Sequence, residues 1–364
     1  MRVRSSWLRP AGMVLCAFGL LLVCSQEASA HIKWFCAYNV AGQPRGLENV
    51  LCPDFELLNL TAVSTLLAGY LVEVSFVGEA LMAALNRVTS VLRDNSEKLM
   101  RGACGFFFVA LWTKGGIILT PELITASPLI SWIQLGLAAC LLWRATLPVT
   151  ALGILGLYSL SIWQYGIFHL MDYPIFLGIA AYLALVGAQQ NFFGMRPVDI
   201  LRWSAAVTLM WASIEKWAYP QWTFPLMVAH PQMTLGYTPE FFMRAAGMVE
   251  FTLSFALLLT PLARRVAAIV LTAMFVSAVF GFGKIDAIGH APIVAVLLTI
   301  IGDDLVAPRF SRVYLGVKEA WTKFKLKLSP WDFVLIPAGY WSALVAFLAV
   351  YYVLHTVLFG TKIV

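Results

Sequence analysis

The stretch GFGKIDAIGHAPI, residues 281–293, sets three polar side chains, Lys284, Asp286 and His290, between two long apolar runs. The chain as a whole is 60% hydrophobic and only 12% charged, whereas a soluble domain carries about 25% charged residues. Apolar runs long enough to cross a bilayer recur along nearly its whole length, so lipid is predicted to surround it. Because charge beside hydrocarbon is costly, we predict a functional site at 281–293.

The same pattern predicts an all-α fold, a polytopic membrane helical bundle of about nine or ten transmembrane helices. The first span is predicted over 57–85 and the ninth over 290–302. Lys and Arg concentrate in alternate loops, which the positive-inside rule assigns to the cytoplasm. We therefore predict a multi-pass protein of the bacterial inner membrane with its mature N-terminus outside the cytoplasm. No basic patch stands apart from the membrane-flanking loops, so nucleic acid is excluded as a partner.

An echo of the first stretch lies earlier, as YGIFHLMDYPIF over residues 165–176. Aligning Pro174 with Pro292 places Asp172 where His290 stands. This correspondence predicts two tandem four-helix units, although generic four-helix hydropathy is an alternative explanation. Repeated membrane units usually place binding sites at their interface.

The N-terminus has the features of a secretory signal peptide over residues 1–30, with a basic start, a short apolar core and Ala-Ser-Ala before the cleavage point. Cleavage would expose His31, and an uncleaved anchor is the alternative. The rest divides into an extracytoplasmic loop over 31–56, a first transmembrane helix with a cytoplasmic loop over 57–98, repeat units over 99–190 and 198–303, a basic cytoplasmic loop over 304–330, and a C-terminal transmembrane helix over 331–364.

Two cysteines, Cys36 and Cys52, flank a Gly/Pro-containing loop in the segment assigned to the oxidising side of the membrane. This placement predicts a disulfide that closes the loop, with two free thiols as the alternative.

The predicted site combines charged groups inside the spans with polar groups at their outer ends. Glu250 lies in mid-span, and Lys216 is its expected partner, with Lys114 as the other candidate. Alternatively, Glu250 belongs to a proton or quinone site. Asp286 and His290 share a face if their stretch is helical, because they are four residues apart.

The topology also assigns several histidines to the outer face. Imidazoles that share a face can hold copper or another metal, and a processed N-terminal histidine can add its amine. The candidate ligands are His31, His169, His230 and His290.

The chain resembles the DoxX/DoxD-like family of four-helix membrane proteins. The resemblance rests on Arg202, on Ile214-Glu215-Lys216, on the AAGMVE run that ends at Glu250, and on the GKID run over 283–286. It covers about 198–303 well and about 99–188 weakly. Members are associated with quinone-linked thiosulfate oxidation and with complexes that handle thiol or oxidative stress. The sequence has no redox-active C-x-x-C pair, so the thiosulfate activity is not carried over.

Three functions are compatible with these features, and whether the chain is an enzyme stays open. The leading hypothesis is a redox-linked subunit that handles a quinone or its protons. The second is a copper-handling membrane protein that uses the four histidines. The third is a non-catalytic assembly factor or membrane anchor. The partners expected for the first are a quinone or a redox protein. Its residues are Glu250, Lys216, Lys284, Asp286 and His290 as catalytic groups, with Lys114 and Asp172 as cofactor ligands.

Overall fold

The computed structural model describes residues 32–303 and 331–361. Every regular element in these residues is a helix, which confirms the predicted all-α class. The predicted signal peptide, His31 and the basic loop over 304–330 lie outside the described residues.

The described residues contain eleven helices of more than ten residues. They are α1 (Pro53–Val74), α2 (Phe76–Val88), α3 (Ser96–Lys114), α4 (Pro128–Cys140), α5 (Leu147–Tyr165), α6 (Ile175–Ala188), α7 (Pro197–Ala218), α8 (Pro239–Ala256), α9 (Pro261–Phe282), α10 (Lys284–Gly302) and α11 (Asp332–Phe359). Shorter helices cover Leu47–Val50, Ser90–Asp94, Ile167–Leu170 and Phe224–Ala229, and 3-10 turns cover Ile32–Trp34, Arg144–Thr146, Pro220–Trp222 and Pro231–Thr234.

Five of these segments are long and apolar enough to cross a membrane: α1, α5 together with the preceding turn, α9, α10 and α11. The helices α4 and α6 are apolar but shorter. The chain is therefore a multi-pass membrane protein. Proline in the first turn fixes the start of several helices, because its fixed φ suits that turn and its missing N–H has no partner there. These prolines are Pro53, Pro128, Pro148, Pro197, Pro239 and Pro261.

The predicted first span over 57–85 is wrong in one respect, because it is two helices that break at Ser75. The Ser75 side chain accepts hydrogen bonds from the backbone N–H groups of Val77 and Gly78, and so caps α2. A Cβ on Gly78 would lie 2.3 Å from the Glu73 carbonyl oxygen, so the turn admits only glycine there. The ninth span also begins earlier than predicted, at Lys284, and its polar residues lie within α10.

The helices α3–α6 and α7–α10 pack in the same order. In each set the first helix contacts the second, the second the third, and the third the fourth. The last helix of each set packs against the first helix of the other, since α6 contacts α7 and α10 contacts α3. The third helix ends in both sets at a glycine with positive φ, Gly166 at 86° and Gly283 at 79°. These eight helices form a closed ring of contacts.

The loops of this bundle separate into two ends. At one end the N-terminal segment lies on the loop that follows α7: the Arg45 N–H donates to the Ala218 carbonyl, and the Tyr219 hydroxyl to the Gly42 carbonyl. At the other end Arg196 makes two hydrogen bonds of 2.8 Å to Asp303. The loops predicted to be extracytoplasmic thus gather at the first end, which we call the site end. Its orientation in the cell stays a prediction.

Candidate functional site

The centre of the site end is the Lys33 side chain, which the turn Ile32–Trp34 carries into the bundle. Its ammonium group bonds the Asp172 carboxylate and lies 2.6 Å from Glu215 Oε1. Lys33 is 5% exposed and Asp172 only 1%. Asp172 belongs to the connection between α5 and α6, and Glu215 to α7. One cation from the N-terminal segment therefore joins the two sets of four helices, α3–α6 and α7–α10.

Burial by itself would lower the pKa of Lys33, but the Asp172 and Glu215 carboxylates raise it above the ordinary lysine value. The side chain is therefore held as an ammonium ion. Two aromatic rings lie beside it, with the nitrogen 5.6 Å from the Tyr38 centroid and 5.8 Å from that of Trp222. Such distances allow cation–π attraction.

A second set of polar contacts begins at Glu122, in the loop between α3 and α4. One carboxylate oxygen lies 2.8 Å from His169 Nε2 and accepts a 2.5 Å hydrogen bond from the Tyr173 hydroxyl. All three side chains are buried. The His169 ring also lies 5.6 Å from that of Tyr38, which connects this set to the Lys33 site.

The predicted pair of Lys216 with Glu250 is confirmed, at 2.6 Å between the ammonium and the carboxylate. Both side chains are buried. Consecutive residues of a helix point about 100° apart. Glu215 and Lys216 can therefore meet different partners, Lys33 on one side and Glu250 of α8 on the other.

The predicted pairing of Asp286 with His290 is also confirmed, since His290 Nδ1 lies 3.0 Å from Asp286 Oδ2 on one face of α10. The His290 ring lies between two aromatic rings, with centroids 4.8 Å from Trp34 and 4.8 Å from Phe275. Trp34 can approach this closely because Gly289 has no side chain: a Cβ there would be 2.0 Å from the indole.

A cavity of about 50 Å³ lies beside three of these acidic and imidazole groups. Its polar lining comes from both units, with Asp172 from the first and Glu250 and His290 from the second. Asp172 Oδ1 is buried and has no hydrogen-bond partner among the described residues. A water needs about 10–15 Å³ of such volume, so the cavity has room for a few waters that can bond this oxygen.

Two of the predicted site residues lie elsewhere. Lys114 is exposed at the last residue of α3, and Lys284 is exposed at the first residue of α10. Glu250 pairs with Lys216 and not with Lys114. The predicted roles of Lys114 as a cofactor ligand and of Lys284 as a catalytic group therefore have no support in the geometry.

The predicted histidine metal site does not assemble in residues 32–303 and 331–361, which contain no group of three or more metal-ligating side chains. The physical reason is that each imidazole has its own neighbour. His169 pairs with Glu122, His290 pairs with Asp286, and His230 lies against the Phe282 ring. The fourth candidate, His31, lies outside the described residues.

The predicted disulfide is not formed in the structure, where Cys36 and Cys52 are both free. The two thiols belong to different apolar clusters. Cys36 packs with Met227 and Met243 at the site end, whereas Cys52 precedes α1 and packs against the main core.

We expect Cys36 and Cys52 both to react with iodoacetamide in unfolded protein that has never been reduced, as measured by peptide mass spectrometry. In the folded protein burial raises the pKa of the Cys36 thiol, so its alkylation should keep accelerating above the pH at which an ordinary thiol is fully ionised. A prior reduction step serves as the control and should change neither label. If the two cysteines are labelled only after reduction, the predicted disulfide between them exists after all.

The sequence pattern did not identify Lys33, Trp34, Glu122 or Glu215 as site residues. Lys33 and Glu122 lie in short segments between apolar runs, where helical periodicity gives no information. Glu215 could have been identified from the sequence. It lies next to Lys216 in an apolar helix, and each of two adjacent opposite charges there requires a buried partner of its own.

Comparison of the chain with protein-family models, with curated proteins and with solved structures finds no match. The resemblance to the DoxX/DoxD-like family stays a prediction, and the function must be argued from the site itself.

Proposed function

We propose that the chain is a membrane subunit that holds and transfers protons at the site end, in step with the redox reaction of a quinone or redox partner. The observation that carries this proposal is the cavity between the two units. Asp172, Glu250 and His290 all line it, and each of them can bind and release a proton.

The charges around this cavity support a resident proton. Among the described residues, five buried carboxyl groups line the cavity or belong to the ion pairs around it, and two lysines and two imidazoles pair with them. These groups are Glu122, Asp172, Glu215, Glu250 and Asp286 against Lys33, Lys216, His169 and His290. Even with both imidazoles charged, these described groups carry four positive charges against five negative ones. Because net charge away from water is costly, one carboxyl group is expected to keep its proton.

The cavity is large enough for water and protons but too small for a quinone. Sites for ligands of drug size occupy about 300–1,000 Å³, several times the 50 Å³ found here. A quinone ring would therefore bind outside the cavity and exchange protons with it. Waters of the number that fits this cavity, together with the Asp172 oxygen that has no partner among the described residues, would offer the short hydrogen-bonded steps that such an exchange needs.

The test is electrochemical infrared difference spectroscopy on the protein in quinone-containing liposomes. Reduction of the quinone should produce a carbonyl-stretch band of a protonated carboxylic acid that shifts in D2O. We expect Glu250→Gln or Asp172→Asn to remove or displace this band, because both side chains line the cavity.

Glu56→Gln is the matched control, because Glu56 is exposed in the first turn of α1 and lies away from the cavity lining. Its spectrum should equal that of the unmodified protein. A carboxylic acid band that survives both cavity variants, or that liposomes without protein also show, would refute proton handling at this site.

A further inference from the structure

The surroundings of the Lys33 ammonium form a cage for a cation. Two carboxylates contact the nitrogen, from Asp172 and Glu215, and two aromatic rings lie within 6 Å, from Tyr38 and Trp222. Carboxylates and aromatic faces are the groups that recognise ammonium ions in proteins. Asp172, Glu215 and Trp222 come from the bundle and its loops, whereas Tyr38 comes from the same N-terminal segment as Lys33.

Each wall of the cage has contacts that do not involve Lys33, and the Tyr38 ring lies against the rings of His169 and Trp222. The Trp222 ring stacks on Tyr219 at 4.1 Å between centroids. Glu215 lies within the long helix α7, and the backbone N–H of Ile175, just after the Asp172 loop, donates to the Thr208 side chain. The cage is thus expected to keep its shape when the cation is removed.

The same place also offers a hydrogen-bond acceptor that no described residue uses. Asp172 is almost fully buried, and its Oδ1 has no hydrogen-bond partner among the described residues. Asp172 also lines the cavity, so there is space beside this oxygen. Lys33 satisfies one oxygen of the carboxylate and leaves the other available to a further donor.

Lys33 itself reaches the cage from a segment that is not part of the helical ring. It lies in the 3-10 turn Ile32–Trp34, which precedes α1 by nearly twenty residues. Its neighbour Trp34 inserts over Gly289 and so secures the turn. The lysine side chain therefore binds in the cage like a ligand that is covalently attached through the N-terminal segment.

We propose that this cage is a binding site for a small primary ammonium ion, and that Lys33 occupies it as a tethered ligand. The ion class is a primary ammonium on a short aliphatic chain, the shape of the lysine side chain. This inference goes beyond proton handling and does not depend on it, because it concerns the cation and not the proton.

A tethered group competes at an effective concentration of about millimolar or more. Free amine should therefore bind the unmodified protein only weakly. Removal of the lysine side chain should open the cage to amines in solution, and binding to the folded state raises the unfolding temperature by mass action.

The experiment measures thermal unfolding of detergent-solubilised Lys33→Ala with and without tens of millimolar n-propylammonium chloride. We expect the amine to raise the midpoint by about 3 °C or more, relative to the same concentration of sodium chloride. Lys33→Met is the matched control, because its side chain fills the aliphatic path to the cage. Lys284→Ala is the second control, because it removes an exposed lysine at the same end. Neither control should respond to the amine.

If Lys33→Ala does not fold, the double variant Lys33→Ala/Glu215→Gln takes its place, because it removes one negative charge together with the positive one. It should still respond to n-propylammonium through Asp172, by a smaller shift. An equal response in all variants, or no response in either alanine variant, overturns the ammonium site. Neither outcome bears on the infrared test of proton handling.

Discussion

Replacement of Lys216 by Met is expected to lower the free energy of unfolding by about 3–5 kcal/mol, because it leaves the Glu250 carboxylate buried without its counter-ion. The loss should be measured by reversible unfolding in mixed micelles with increasing sodium dodecyl sulfate. The double variant Lys216→Met/Glu250→Met should regain most of it, because the unpaired charge is then gone.

The matched control is Arg45→Met, which breaks the ion pair with Glu240 at the same end of the bundle. That pair has a similar distance of 2.7 Å, but its side chains are 22% and 40% exposed. Water can replace the lost partner there, so the expected cost is under about 1 kcal/mol. A Lys216→Met cost as small as this would show that water also reaches Glu250.

Substitution of Gly289 by Ala is expected to destabilise the protein by about 1–3 kcal/mol, because the new methyl group would overlap the Trp34 indole. The indole would have to leave its place beside His290, and the turn that carries Lys33 would move with it. Thermal unfolding gives the loss. Faster proteolysis of the N-terminal segment, followed by mass spectrometry, reports the displacement.

Gly136→Ala provides the comparison, since Gly136 lies inside α4 and a Cβ there meets nothing within 4 Å. Alanine in a helix interior is favoured over glycine by up to about 1 kcal/mol, so this variant should match or exceed the unmodified protein in stability. Equal behaviour of the two alanine variants would mean that Trp34 is not seated on α10.

The contacts that sequence reasoning predicted correctly are those set by local geometry or by simple charge balance. Asp286 and His290 meet because a helix brings residues four apart onto one face. Lys216 and Glu250 pair because each would otherwise be a lone charge in hydrocarbon. The alignment of Pro174 with Pro292 also matched Asp172 with His290, and these two side chains line the same cavity.

The contacts that were missed depend on long-range packing. Lys33 is 139 positions before Asp172, and no spacing in the sequence connects them. Lys114 and Lys216 both lie near the end of the first helix in their sets of four, α3 and α7. Lys114 ends its helix and is exposed, whereas α7 continues for two residues beyond Lys216 and buries it. Burial of this kind is a property of the assembled bundle.

The closed ring of helices has a consequence for the order in which the chain is made. The helix α3 is synthesised long before α10, the helix that closes the ring against it, so the first unit enters the membrane with one flank still facing lipid. Lys33 precedes its two partners, Asp172 and Glu215, in the chain. When the ribosome delivers Asp172 and Glu215, the lysine that pairs with both has already been translated, so neither carboxylate need wait in the bilayer as a lone charge.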